Sequence, residues 1–160
     1  QLINTVDQAR GVPVIVNTAA RSGSGVARYG ATLKSTLGEL GRKLVTLWII
    51  NRQRDSLELL ADFLEAMPVG ADHQAHVLRN LYFGAAEKFQ LYNGSDIKKR
   101  IEESGGKTLD FPDLADRVAD QLATDRLTIQ GALEAMPLGH KAELIRWRNE
   151  ATKTLAQVMP

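Results

Sequence analysis

Apolar positions along the chain fall into two patterns. Unbroken runs occur at Val12–Val16 and at Leu44–Ile50. A strand buried on both faces of a parallel sheet requires such a run, because helices cover both its sides. Elsewhere apolar residues recur at spacings of three and four. Val26, Tyr29, Leu33, Leu37 and Leu40 predict an amphipathic helix over 26–40, stopped by Gly41. Leu57, Leu60, Phe63 and Leu64 predict a helix over 56–66, capped by Asp55 or Ser56 and closed by Met67-Pro68. His76–Phe83 predicts a third strand, and Lys107–Phe111 a short fourth that Pro112 stops. Residues 84–93 predict a loop with one helical turn, and Ser95 and Asp96 open a helix to Glu103 that Gly105-Gly106 ends. Helices over 113–123, 128–135 and 138–158 complete the chain, with residues 1–10 helical or irregular. Strand–helix alternation repeated four times predicts one α/β domain over residues 1–160. It would have a largely parallel sheet of about four strands, flanking helices and a long C-terminal helix at 138–158.

Composition narrows the classes of partner. A net charge of +1 gives no bulk attraction to nucleic acid or to a membrane surface. The chain has no cysteine, which removes disulfides, thiolate metal sites and cysteine nucleophiles and fits a reducing compartment. No apolar run approaches the roughly 20 residues that span a bilayer, and no signal-peptide pattern opens the sequence. A cytoplasmic protein is the expectation. The first residue is Gln1 rather than Met, which predicts a processed chain or a piece of a longer one.

Candidate chemistry begins where the first predicted strand ends, since ligands of parallel sheets sit at the carboxyl ends of the strands. Asn17–Gly25 occupies that place. Its Gly23-Ser24-Gly25 lacks the third glycine of a dinucleotide fingerprint, and Asn51 stands where an acidic residue would follow. Gly106-Lys107-Thr108 looks like the tail of a phosphate-binding loop, but the first glycine would fall on Ile101. A helix precedes it and a strand follows, the reverse of the order that aims backbone N–H groups at phosphate. It reads as a helix end. His73, His76 and His140 are scattered, with no carboxylate spaced to share a metal. Arg146 and Arg148 flank Trp147 as a solvated rim around a buried ring.

Four stretches taken together resemble the ParA/MinD-type P-loop ATPases, in the branch found in plasmid stability and conjugal-transfer operons. Val14-Ile15-Val16-Asn17-Thr18-Ala19-Ala20 is similar to that family's switch strand. Leu78-Arg79-Asn80-Leu81-Tyr82-Phe83-Gly84 is similar to the strand whose asparagine reads the nucleotide base. Leu109-Asp110-Phe111-Pro112-Asp113-Leu114 resembles the proline turn beside the base, and Arg126-Leu127-Thr128-Ile129 with Ala132-Leu133 resembles the transfer-operon tail.

The resemblance implies base recognition by Asn80, a pocket lined by Pro112 and Asp113, and Asn17 and Thr18 near the γ-phosphate. It implies ATP and magnesium as cofactors of the complete protein, nucleotide-promoted dimerisation, and plasmid DNA or a DNA-bound adaptor as a partner. Two departures stand out. The Walker A segment lies N-terminal to all these motifs in the family and is absent here, and Asn17 replaces the switch aspartate. An amide accepts a hydrogen bond but offers no negative charge. No residue is therefore assigned a catalytic role, and this chain alone is expected not to hydrolyse ATP. In the family the Walker A strand sits between the strands at 12–16 and 44–50, so unpaired strand edges are expected here. A second copy of the chain could cover them. The rival expectation is a non-catalytic α/β scaffold with a decayed nucleotide site.

Overall fold

The computed structural model describes residues 2–9, 11–18 and 23–159. Three strands form one parallel sheet in the order β1 (Leu44–Ile50), β2 (His73–Asn80), β3 (Thr108–Phe111). Leu44 lies opposite His73 and Ile50 opposite Arg79, while Val77 pairs with Thr108 and Asn80 with Phe111. The helices are α1 (Leu2–Gln8), α2 (Gly23–Glu39), α3 (Arg54–Ala66), α4 (Gln90–Asn93), α5 (Asp96–Glu103), α6 (Asp116–Thr124), α7 (Ile129–Ala135) and α8 (Leu138–Leu155). This is the expected parallel α/β domain with a long C-terminal helix.

Side-chain alternation along the strands divides the core. Ile50, Ala75 and Val77 point to one face and pack with Leu60 and Leu64 of α3, Phe89 before α4 and Tyr92 within it, and Ile101 of α5. On the opposite face Leu78 and Leu109 meet Leu155 and Val158 at the end of α8. A third cluster of Val118, Ala132, Met136 and Leu144 binds α6, α7 and α8 together. Both faces of β2 are covered: Ala75 and Val77 on one and His76 and Leu78 on the other are buried. Polar Gln74 at its entrance lies outside, where its side chain donates to the Gly105 carbonyl at 3.1 Å.

Local chemistry sets the element ends. Ser95 accepts the Lys98 N–H at 3.2 Å and Thr128 the Gly131 N–H at 3.1 Å, each serving one of the unpaired donors that open a helix. Beyond α5 the backbone turns through Gly105 (φ 81). A Cβ on Gly106 would collide with the Ala75 carbonyl and Ile101, so the strand entrance needs glycine there. Lys107 then spends its ammonium on the Gln157 carbonyl at 2.8 Å. Gly106-Lys107-Thr108 is a helix end leading into a strand, as the order of elements predicted.

Three expectations need correction. The predicted strand at 12–16 is absent: residues 13–18 have no regular structure, and Val12, Ile15 and Val16 are 55%, 79% and 50% exposed. A strand exists only by pairing. Among the described residues none lies in register with this run, and Pro13 has no N–H to give one. The Arg42 guanidinium holds its entrance, donating to the Val12 carbonyl at 3.1 Å and to the Ala9 carbonyl. Among the described residues the sheet therefore has three strands. The third predicted strand lies three residues earlier than expected, because Asn80 ends β2 and Leu81–Phe83 coil into a 3-10 turn. Helix α3 starts at Arg54 with no side-chain cap, and Ser56 instead accepts the Asn51 N–H at 3.3 Å.

Candidate ligand crevice at the strand ends

An asparagine folds the chain back at the end of each of the first two strands, Asn51 directly after β1 and Asn80 as the last residue of β2. The Asn51 side-chain oxygen accepts the Gln53 N–H at 2.8 Å, and the Asn80 oxygen accepts the Tyr82 N–H at 3.1 Å. A short amide side chain can mimic a backbone turn in this way, so both strands stop at the same level of the sheet. Arg52 ties the two turns together by donating to the Phe83 carbonyl at 3.1 Å. Gly84, at φ 119, closes the second turn where a side chain would be strained.

The third strand ends at Pro112, one residue past the level of Asn80. Two bonds from α8 hold this rim. The Trp147 indole N–H donates to the Pro112 carbonyl at 2.9 Å, and the Thr154 hydroxyl donates to the Asp110 carbonyl at 3.1 Å. The Trp147 ring also meets Phe111 edge to face at 5.9 Å. Trp147 is thus a packed ring with its polar edge satisfied, as the sequence predicted.

Behind the rim, Arg79 grips Asp110 through two bonds of 2.7 and 3.1 Å and donates to the Asn93 side-chain oxygen at 2.8 Å. Asn93 in turn donates to the Ala86 carbonyl at 2.9 Å. A planar guanidinium meeting a carboxylate at two points fixes angle as well as distance. The network locks the 84–93 segment to the strand ends.

These elements enclose a cleft of about 320 Å³ lined by Leu81, Asp110, Pro112, Glu150, Lys153 and Thr154. Of the residues assigned from sequence, the structure brings Asn80 and Pro112 to adjacent strand ends, but only Pro112 stands in the cleft wall; Asn80 and the exposed Asp113 are not among its lining residues. Asn17 and Thr18 are exposed in the irregular segment, and neither lines the cleft. Sequence reasoning missed Glu150, Lys153 and Thr154, which a polar helix face gives no reason to single out. It also missed the Arg79–Asp110 pair, whose trace was one charged residue in each of two neighbouring strands.

Magnesium would need a set of oxygen donors around one point. Among the described residues no group of three or more His, Asp or Glu side chains is placed to hold a metal ion. His73 and His76 sit on opposite faces of β2 by strand alternation. The His76 Nδ1 accepts the Lys107 N–H at 3.0 Å, and His73 lies within reach of the Thr46 hydroxyl at 3.0 Å. Among the described residues no helix is long and apolar enough to cross a membrane.

Fold and crevice define a parallel α/β domain with an open cleft at the carboxyl ends of its strands, the usual ligand position in this class. Over 159 residues the chain is 54% identical to Protein MobD of Acidithiobacillus ferrooxidans, a match covering 99% of this chain and 69% of that protein. The chain belongs to the MobD family. No family model and no solved structure matches it.

Proposed function

We propose that the chain is a nucleotide-binding part of a ParA/MinD-like protein serving plasmid mobilisation, with the cleft at the ends of β2 and β3 receiving the base. Membership of the MobD family supports the mobilisation context. The observation that carries the nucleotide reading is the placement of Asn80 and Pro112 at adjacent strand ends, with Pro112 and Leu81, the residue after Asn80, in the wall of one cleft. Pro112 and Leu81 offer apolar walls for a flat ring. The Asn80 amide nitrogen has no partner among the described residues, and an asparagine amide is a natural reader of adenine edges. In the complete protein, ATP with magnesium would promote dimerisation, hydrolysis would reset it, and plasmid DNA or a DNA-bound adaptor would be the partner.

Titrating ATP into the protein while following backbone amide resonances tests the reading. Saturable shifts at Leu81, Asp113 and the end of α8 are expected, and Asn80→Ala should weaken binding about tenfold, the size of one lost hydrogen bond of discrimination. No shift in the wild type at millimolar ATP would end it.

A second reading, a non-catalytic scaffold acting through protein contacts, is favoured by two observations. Asn17 and Thr18 stand exposed away from the cleft, and the Asn80 oxygen already caps a turn. A reading frame encoding G-K-G-G-x-G-K-[ST] after a strand upstream of Gln1 would decide for the ATPase. A gene starting near Gln1 would decide for the scaffold.

A further inference from the structure

The polar groups lining the cleft are almost all spoken for. The Asp110 carboxylate is held by Arg79, and the Glu150 carboxylate receives Arg146 at 2.8 and 2.9 Å. The Thr154 hydroxyl is given to the Asp110 carbonyl. Lys153 is different. It lines the cleft, and its ammonium has no hydrogen-bond or ion-pair partner among the described residues. Two charges in the wall are neutralised and one cation is left over. A ligand seated here therefore meets apolar walls and a single uncommitted donor.

We infer that Lys153, on the last turn of α8, is a specificity-determining residue of the cleft and donates to a ring acceptor of a purine base. Resting on the nucleotide reading above, this adds that the C-terminal helix supplies one side of the base site. Leu81 and Pro112 would flank the ring, with Asn80 next to Leu81 at the end of β2 and Lys153 in the cleft wall on α8. The ammonium suits the purine ring nitrogens, which are acceptors, and a carbonyl at the six position would serve equally. Glu150 stays paired with Arg146 and helps keep that stretch of the helix in place.

The test uses adenosine, inorganic triphosphate and the 160-residue chain, with binding read from amide resonances. Wild-type chain should bind adenosine. Lys153→Ala should weaken it about tenfold, as expected for one hydrogen bond from a charged donor, and Lys153→Arg should restore most of the loss. Lys153 is exposed, so its replacement leaves the fold intact. Equal adenosine affinity in wild type and Lys153→Ala would overturn the inference while leaving the nucleotide reading standing. Loss of inorganic triphosphate binding with adenosine binding unchanged would also overturn it, by making Lys153 a phosphate contact. Failure of the wild type to bind adenosine or ATP at all would instead remove the nucleotide reading beneath it.

Discussion

His76 is 2% exposed, and its Nδ1 accepts from the Lys107 backbone, so its proton must sit on Nε2. That atom is buried without a partner among the described residues. Burial, with the nearby Lys107 charge, pushes the ring below the ordinary 6.5, and burial pushes His73 the same way against the opposing pull of the Pro68 carbonyl. In the unfolded chain both would take up protons first as pH falls. Stability should therefore be fully present above about pH 6.5 and fall below it, with a slope approaching about 1.4 kcal/mol per pH unit for each histidine. Urea unfolding midpoints at pH 7.5 and 5.5 would measure this, and His76→Gln should flatten the difference. At the same scale, Arg79→Met should strand the Asp110 carboxylate and loosen the 84–93 segment, costing about 1.5–3 kcal/mol in denaturant unfolding. Arg79 was visible in the sequence as a residue of the strand, but its partner 31 positions away is fixed only by the register of two parallel strands.

Elements with their own periodicity and caps were readable. The strand at 44–50 and the helices opened by Ser95 and Thr128 emerge where their residues predict, because local spacing and local hydrogen bonds determine them. Thr128→Ala should cost about 1 kcal/mol by removing the α7 cap, and Leu64→Ala, emptying a fully buried position on α3, about 2–5 kcal/mol. Both can be read from thermal or urea unfolding. The Val12–Val16 run misled for a physical reason. Its composition suits a strand, yet strandhood is a property of a pair, and no sequence window contains the pair. The crevice was half legible for the same reason: Asn80 and Pro112 stand beside their own strand ends, whereas Glu150 and Lys153 arrive on a helix some 40 residues later.

At the scale of the molecule, β1 has β2 on one side and, among the described residues, no strand on the other, with Ile49 61% exposed. An apolar edge with free backbone groups invites pairing with another chain. Sedimentation velocity over a hundredfold concentration range should show self-association of the wild type that Ile49→Lys reduces. A concentration-independent monomer would remove the second copy as the cover for this edge.

The bonds that clasp β3 to α8 are accepted by the main-chain carbonyls of Asp110 and Pro112. A carbonyl is present whatever residue occupies the position. The rim of the cleft therefore keeps its mooring while the side chains upon it are exchanged, so those side chains can change over evolutionary time without first having to survive a collapse of the walls.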